Sequence, residues 1–304
     1  MQPWICVTCG SHNYQPDSPP EICPICADER QWVPATGQQW TTLAKLEADG
    51  YHSEVREIEP GLMGIGANQM LGIGQRGLLV RTGEGNLLWD PSGFLDEAAI
   101  GAVRELGGLH AISASHPHFY GAIVEWSRVF DAKILLPEVD LCWLSRPPSH
   151  ESMIHIWSGT LPVLPGATLV QCGGHFPGSA VLHWAEGAGG AGVLLSGDTI
   201  NVSPGEDRVA FLYSAPNRLP LPENAVRGVV TAVWPYSFDR IYGHWWVPAI
   251  RRDARRVLQE STDLYLRLLR GEAPSWAVST QAASERDTPA PATRTLTAPP
   301  DEAS

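Results

Sequence analysis

Four histidines and one aspartate occur in short motifs, each of which follows an apolar run of the chain. They are His116 and His118 in Ser-His-Pro-His-Phe-Tyr-Gly, His175 in Gly-Gly-His-Phe-Pro-Gly-Ser, Asp198 in Leu-Ser-Gly-Asp-Thr, and His244 in Tyr-Gly-His-Trp-Trp. Residues two positions apart on an extended loop point the same way, so His116 and His118 can bind one ion. Zinc and iron both accept imidazole and carboxylate ligands. The pattern therefore predicts a metal site.

The apolar runs before these motifs are typical of short buried strands. The four predicted strands are residues 109–113, 168–171, 193–195 and 240–242. In α/β sheets, ligands collect beyond the carboxyl ends of the strands. The predicted site therefore lies at one edge of a sheet, where several strands end together.

The order of these motifs resembles the metallo-β-lactamase superfamily over most of residues 60–250. The resemblance implies an α/β fold, the αββα sandwich, in which helices cover the outer faces of two packed sheets. It implies that the active-site metal is held by His116, His118, His175 and Asp198. Asp90 matches the superfamily's first motif, where an aspartate braces the histidine loop. Ser179 is expected to form a hydrogen bond near the site.

Two positions depart from the superfamily pattern. Members with two metal ions carry an aspartate and a histidine where this chain has Tyr120 and Gly121. Only Asp198 and His244 remain for a second ion, so we predict one active-site ion. His244 is then free as a hydrogen-bond donor or proton carrier, because histidine titrates near neutral pH. Tyr120 either donates its phenol to a developing oxyanion or fills the place of the second ion. The residues predicted to act in catalysis are Asp198, His244 and Tyr120.

A second metal site is predicted near the N-terminus. Cys6 and Cys9 form one Cys-x-x-Cys pair, and Cys23 and Cys26 form another, with thirteen residues between the pairs. Four thiolates in this arrangement close a tetrahedron around one ion. The segment resembles the rubredoxin-like domain of rubrerythrins, in which four such cysteines hold a redox-active iron. Tetrahedral sulfur ligation suits zinc as well as iron, so a structural zinc ribbon is the other interpretation.

The chain divides into three predicted parts. Residues 1–40 form the rubredoxin-like or zinc-ribbon domain, which is too small to fold without a metal. Residues 41–272 form the metallo-β-lactamase-like domain, and the Pro-, Ala- and Thr-rich residues 273–304 are expected to be disordered. Helices are predicted over 96–106, 122–130 and 248–269, and further strands over 77–80, 87–90, 133–136, 180–184 and 229–233.

The bulk composition excludes several classes of function. The formal net charge of −12 argues against a nucleic-acid partner, because binding to phosphates rests on Lys and Arg. No apolar run approaches the roughly 20 residues of a membrane span, and the first residues lack the pattern of a secretory signal. We therefore expect a cytoplasmic protein that acts on a small molecule. The sequence does not predict its oligomeric state.

Hydrolysis is the first functional interpretation. Three histidines and a carboxylate leave room for water on the ion, and zinc lowers the pKa of that water to about 7. The expected substrate is a small ester, lactone, thioester or phosphoester. Trp245, beside His244, is predicted to line the substrate site. Arg218 either meets an anionic substrate group or makes a surface salt bridge.

Two other interpretations stay open. His116, His175 and Asp198 match the residues with which persulfide dioxygenases of this fold hold one ferrous ion. A rubredoxin-like iron centre on the same chain would supply electrons to such a site, which makes an iron oxygenase the alternative. The third interpretation is a degenerate site that binds metal without catalysis.

Overall fold

The computed structural model describes residues 2–272, so the tail predicted to be disordered, residues 273–304, lies outside the described residues. The strands are β1 Trp4–Cys6, β2 His12–Asn13, β3 Trp40–Thr41, β4 Ser53–Glu59, β5 Leu62–Ala67, β6 Gly77–Thr82, β7 Gly85–Trp89, β8 Ala111–Ser113, β9 Lys133–Pro137, β10 Ile154–Trp157, β11 Thr160–Leu164, β12 Ala167–Gln171, β13 Ala180–Trp184, β14 Val193–Leu195, β15 Asn201–Val202, β16 Val209–Ala210, β17 Leu212–Ser214, β18 Leu219–Pro220, β19 Arg240–Tyr242 and β20 Ala249–Ile250.

The helices are α1 Leu43–Ala48, α2 Glu97–Glu105, α3 Ile123–Phe130, α4 Gly187–Gly190, α5 Glu223–Val233 and α6 Ala254–Leu269. Short 3₁₀ segments span Pro117–Phe119, Glu138–Trp143 and Pro148–Met153. Within residues 2–272, no helix is both long enough and apolar enough to cross a membrane.

Two sheets form the centre of the molecule. The first has seven strands in the order β10-β9-β8-β7-β6-β5-β4, and the second has six in the order β11-β12-β13-β14-β19-β20. Apolar residues of both sheets, such as Leu78 and Leu182, share one buried cluster between them. Helices α2 and α3 cover the outer face of the first sheet, and α5 and α6 cover that of the second. The predicted αββα sandwich is therefore confirmed.

Strand β7 shows why the central strands are apolar along their whole length. Successive side chains of a strand point to opposite faces of the sheet. Leu87 and Trp89 accordingly contribute to the cluster between the sheets, while Leu88 packs beneath the helices of the outer layer. Both faces are covered, so a continuous hydrophobic run is stable here.

Of three predicted elements, one helix is confirmed, one strand is wrong and one helix begins later than predicted. The helix predicted over 96–106 is confirmed as α2, and its N-cap Asp96 accepts a hydrogen bond from the Ala99 N–H. The strand predicted over 229–233 is wrong, because these residues belong to α5 and its buried valines recur at helical spacing. The predicted start of the last helix at 248 is also wrong, since β20 occupies the first residues of that range.

The N-terminal domain packs closely against the sandwich. Its three-stranded sheet has the order β2-β1-β3. A Cβ atom added to Gly93 would lie 2.3 Å from the carbonyl oxygen of Gly10, and one added to Gly72 would lie 2.7 Å from the carbonyl carbon of Cys9. The imidazole Nε2 of His12 is 2.8 Å from the carbonyl oxygen of Gly93. Backbone therefore lies directly on backbone across this contact.

Candidate metal centres

The sandwich positions the histidine motifs at the ends of its strands. Strand β8 leads to His116 and His118, β12 leads to His175, β14 leads to Asp198 and β19 leads to His244. All five side chains are buried. Their burial requires partners, because an imidazole or carboxylate taken out of water without compensation is costly.

Four of these side chains converge on one point. One ligand atom each from His116, His118, His175 and Asp198 lies within 4.8 Å of the others. The Nε2 atom of His116 is 3.2 Å from Nδ1 of His118 and 3.6 Å from Oδ2 of Asp198. The Nε2 atom of His175 is 3.8 Å from the same carboxylate oxygen. The atoms that face the centre are therefore two Nε2, one Nδ1 and one carboxylate oxygen.

Hydrogen bonds on the far side of two rings fix this orientation. The Nδ1 atom of His116 is 2.9 Å from the Ser115 hydroxyl, and Nδ1 of His175 donates to the carbonyl of Leu212 at 2.8 Å. The Nε2 atom of His175 is buried and has no hydrogen-bond partner among the described residues. Burial lowers the pKa of His116, His118 and His175, so the rings are neutral and their lone pairs are free for a cation. The donor set therefore fits a divalent zinc or iron ion.

Asp90 and Gly197 pack against Ser115 and stabilise the loop that carries His116 and His118. The Oδ1 atom of Asp90 accepts a hydrogen bond from the Ser115 N–H at 2.5 Å. Gly197 has a φ of +51°, and a Cβ atom there would lie 2.0 Å from the Ser115 hydroxyl. Only glycine adopts this conformation freely and leaves room for Ser115. Asp198 is thereby held against His116.

Ser179 lies where it stabilises the loop that carries His175. Its buried hydroxyl accepts a hydrogen bond from the Phe176 N–H at 2.7 Å. The Phe176 ring in turn packs on His118, with ring centroids 5.0 Å apart. Ser179 therefore acts on the site through the backbone of the loop.

His244 and Tyr120 differ in their relation to the cluster. Nδ1 of His244 is 3.7 Å from Oδ1 of Asp198, and neither ring nitrogen has a hydrogen-bond partner within residues 2–272. Burial lowers the pKa of His244 to about 4. Tyr120 belongs to the apolar cluster beneath α2 and α3, and its hydroxyl is buried without a partner among the described residues. Burial raises the pKa of this phenol.

Gly121, at the position where members with two metal ions carry a histidine, is tightly packed. A Cβ atom at this position would lie 3.1 Å from the backbone of Ser92 and of Gly93. Gly93 itself is pressed against Gly10 of the N-terminal domain. A larger side chain at 121 would therefore displace backbone that carries the docked domain.

Comparison with known proteins agrees with this geometry. A family profile described as "Metallo-beta-lactamase superfamily" matches residues 76–265. The chain belongs to the metallo-β-lactamase superfamily. It is 40% identical over 274 residues to "Uncharacterized protein YmaE" of Bacillus subtilis (strain 168), a match that covers 90% of this chain and 98% of that protein.

A solved structure shows the same fold at low sequence identity. The crystal structure of VMB-1 has a TM-score of 0.51 and 12% identity, and the match covers 71% of this chain and 97% of that chain. TTHA1623, solved in a di-iron-bound form, has a TM-score of 0.44 and 22% identity, covering 59% of this chain and 91% of that chain.

The four cysteines of this superfamily member form a second buried cluster. Their Sγ atoms all lie within 4.8 Å of one another. The Sγ atoms of Cys6 and Cys26 are 3.6 Å apart, and those of Cys9 and Cys23 are 3.7 Å apart. The Gln38 side chain donates to Cys6 Sγ at 3.1 Å. The arrangement suits a tetrahedral metal site of the kind expected for a rubredoxin-like or zinc-ribbon domain.

Two residues that sequence reasoning missed join the two metal sites. The Arg30 guanidinium donates to the carbonyl of His175 at 2.9 Å and lies 4.3 Å from the Phe176 ring centroid. The Nε2 atom of Gln31 lies 2.9 Å from Nδ1 of His118. Both residues follow the last cysteine of the N-terminal domain and belong to no recognisable motif, so only the docked structure reveals them.

A cleft of about 160 Å³ opens from the histidine site. It is lined by Gln31, Trp32, Ile73, Asp198, Ala215, Pro216 and Trp245. The prediction that Trp245 lies beside the site agrees with this placement, since its ring also packs on His244 at 3.6 Å between centroids. Arg218 is exposed and does not line this cleft, and it takes part in no salt bridge within the part of the chain that the structure describes.

Arg76 is a third residue that the sequence did not single out. Its side chain is buried, and its Nε and Nη1 atoms have no hydrogen-bond partner in the described range 2–272. Its guanidinium lies 5.2 Å from a Trp246 ring centroid. Its backbone N–H donates to the carbonyl of His244 at 2.8 Å. Burial raises the pKa of Asp90 to about 7, and the Arg76 charge acts in the opposite direction.

Proposed function

We propose that the protein is a mononuclear metal-dependent hydrolase. The observation that carries the proposal is one complete, buried ligand set beside an incomplete one. His116, His118, His175 and Asp198 converge within 4.8 Å. At the position of a second-ion ligand, Gly121 instead packs on the backbone of Ser92 and Gly93.

The chemistry follows from the ligands and their surroundings. A bound divalent ion supplies Lewis acidity and a water molecule of lowered pKa, the reagent that hydrolysis requires. With one ion, protein groups must stabilise the leaving group. His244 is the candidate because its Nδ1 lies 3.7 Å from Oδ1 of Asp198 and its ring packs on Trp245, and both of these residues line the cleft. Asp198 would hold the ion beside His244, and Tyr120 is proposed to fill the space of the second ion.

The cleft favours a small organic substrate. Its walls include the indoles of Trp32 and Trp245, and its volume is about 160 Å³. These dimensions suit an ester, lactone, thioester or phosphoester with a compact acyl or alkyl group. Arg218 lies outside the cleft lining, so we propose no contact between it and the reacting atoms.

An iron oxygenase is the second candidate function. The observation that favours it is the contact between the four-cysteine domain and the histidine site. Gln31 follows Cys26 by only five positions and touches His118. An iron in the cysteine site would therefore be connected to the active site through a short stretch of chain and one hydrogen-bond contact, a path along which electrons could be delivered.

The test is a comparison of reactions on protein loaded separately with zinc and with ferrous iron. Ester, lactone, thioester and phosphoester panels measure hydrolysis, and an oxygen electrode with thiol and persulfide substrates measures oxygenation. The His116→Ala variant removes one ligand of the active-site ion. His155→Ala makes the same change at an exposed histidine and serves as the control. Hydrolysis with zinc that requires His116 supports the proposal. Oxygen uptake with iron and no hydrolysis with either metal would contradict it.

A further inference from the structure

We propose that Gln31, supplied by the N-terminal four-cysteine domain, is an additional ligand of the active-site ion and binds it through the amide oxygen. The proposal rests on the metal site of the sandwich and not on the reaction that the site performs. It assigns the N-terminal domain a direct part in the active site.

The first observation is the position of the Gln31 amide. Its Nε2 atom is 2.9 Å from Nδ1 of His118. That ring nitrogen faces the ligand cluster, because it lies 3.2 Å from Nε2 of His116. The other nitrogen of His118, Nε2, is buried and has no hydrogen-bond partner among residues 2–272. The amide therefore lies within the group of atoms that would surround the ion.

The second observation is an acceptor without a donor. The Oε1 atom of Gln31 is buried and has no hydrogen-bond partner in the part of the chain that the structure describes, and the whole residue is 6% exposed. When His118 gives the lone pair of Nδ1 to a cation, it can no longer accept a hydrogen bond from Gln31. The cation repels the amide N–H groups and attracts the carbonyl oxygen. A half-turn of the amide exchanges the two atoms and satisfies both requirements.

The third observation is the support given to this side chain. The Arg30 guanidinium pairs with Asp28 at 2.8 Å and stacks on Phe176. The Arg30 carbonyl accepts a hydrogen bond from the Ser214 hydroxyl at 2.8 Å. These contacts hold the backbone on both sides of Arg30 against the sandwich. The backbone that carries Gln31 is thus fixed by these contacts and does not belong to a loose loop.

The fourth observation is the location of Gln31 between the ligand set and the cleft. It lines the cleft together with Asp198 and Trp245. An uncharged amide is a weaker ligand than imidazole or carboxylate, so an incoming substrate oxygen can replace it. Gln31 would therefore keep the ion coordinated in the resting protein and yield its position when substrate binds.

The test measures Co²⁺ binding to the full chain, by visible absorption and by competition with a chelator. Spectra are taken as differences from a His116→Ala/His118→Ala double variant, which keeps the four-cysteine site. We expect Gln31→Leu to change the absorption bands of the histidine site and to weaken its Co²⁺ affinity by about 10- to 100-fold. Gln31→Glu, which keeps an oxygen at this position, should retain or exceed the affinity of the parent protein.

The control is Gln39→Leu, which makes the same change at an exposed glutamine of the same domain and should alter neither property. Metal content of the four-cysteine site, measured in each variant, checks that the domain is folded. An unchanged spectrum and affinity in Gln31→Leu would overturn the proposal. Equal losses in Gln31→Leu and Gln31→Glu would also overturn it, because the oxygen would then have no special part. Neither result depends on whether the protein is a hydrolase.

Discussion

Replacement of Gly197 by alanine is a sharp test of how the histidine site is supported. Gly197 has a φ of +51°, and an added Cβ would lie 2.0 Å from the hydroxyl oxygen and 2.5 Å from the Cβ atom of Ser115. A left-handed backbone costs an L-residue roughly 1–2 kcal/mol. Overpacking against Ser115 adds about 1–3 kcal/mol. Loss of the hydrogen bond between Ser115 and His116 adds about 1 kcal/mol.

Together these effects lower the free energy of unfolding by about 3–6 kcal/mol, a large part of the usual 5–15 kcal/mol. The displacement also moves Asp198 and His116, so we expect metal affinity to fall by about 10- to 100-fold. Urea unfolding and metal titration measure the two quantities. The matched control is Gly101→Ala in helix α2, where an added Cβ meets nothing within 4 Å and should be neutral or stabilising.

A rescue variant keeps the reasoning testable if Gly197→Ala folds poorly. Ser115→Gly removes the two atoms closest to the new methyl group and leaves only Oδ2 of Asp90, at 3.2 Å, among the three nearest. The double variant should therefore recover about 1–3 kcal/mol relative to the sum of the two single changes. A Gly197→Ala protein within about 0.5 kcal/mol of the parent, with unchanged metal affinity, would refute the steric account.

Three further predictions follow from buried charges and from the docked domain. In the metal-free protein, the raised pKa of Asp90, about 7, makes the folded state bind more protons than the unfolded state. The free energy of unfolding should therefore fall by up to about 4 kcal/mol from pH 4 to pH 7. Asp90→Asn should remove this pH dependence in urea unfolding. Arg76→Met should leave the free energy of unfolding unchanged or raise it by about 1–4 kcal/mol in guanidinium unfolding, because the buried guanidinium has no hydrogen-bond partner at Nε and Nη1 among the described residues. A loss above about 1 kcal/mol would contradict this, because it would mean that the guanidinium makes a stabilising interaction. Cys6→Ser with Cys9→Ser should weaken metal binding at the histidine site about 10-fold by calorimetry, because the domain carrying Gln31 loses its metal.

The parts of the site that the sequence predicted are those whose chemistry is local. Each cysteine pair spans four residues, and each histidine motif directly follows an apolar strand. A ligand at a strand end needs only that strand and its neighbours to be placed. The αββα sandwich and both ligand clusters were therefore accessible from the sequence together with the family resemblance.

The contacts that the sequence did not predict are long-range. Gln31 meets His118 across 87 positions, and Arg30 meets the His175 carbonyl across 145. No local pattern encodes which surface the N-terminal domain covers. The strand predicted over 229–233 failed for a different reason. Its valines favour strands by propensity, but the buried positions Val226, Val229 and Val233 follow helical spacing against the second sheet.

The central claim is that one metal ion serves the histidine site and another serves the four cysteines. Elemental analysis of protein produced with both zinc and iron available tests it most directly, alongside Cys6→Ser/Cys9→Ser and His116→Ala/His118→Ala variants. We predict about two ions per chain in the parent protein and about one in each variant. Three ions in the parent, with two lost in the histidine variant, would contradict the claim, because they would require a second ion beside Tyr120 and Gly121.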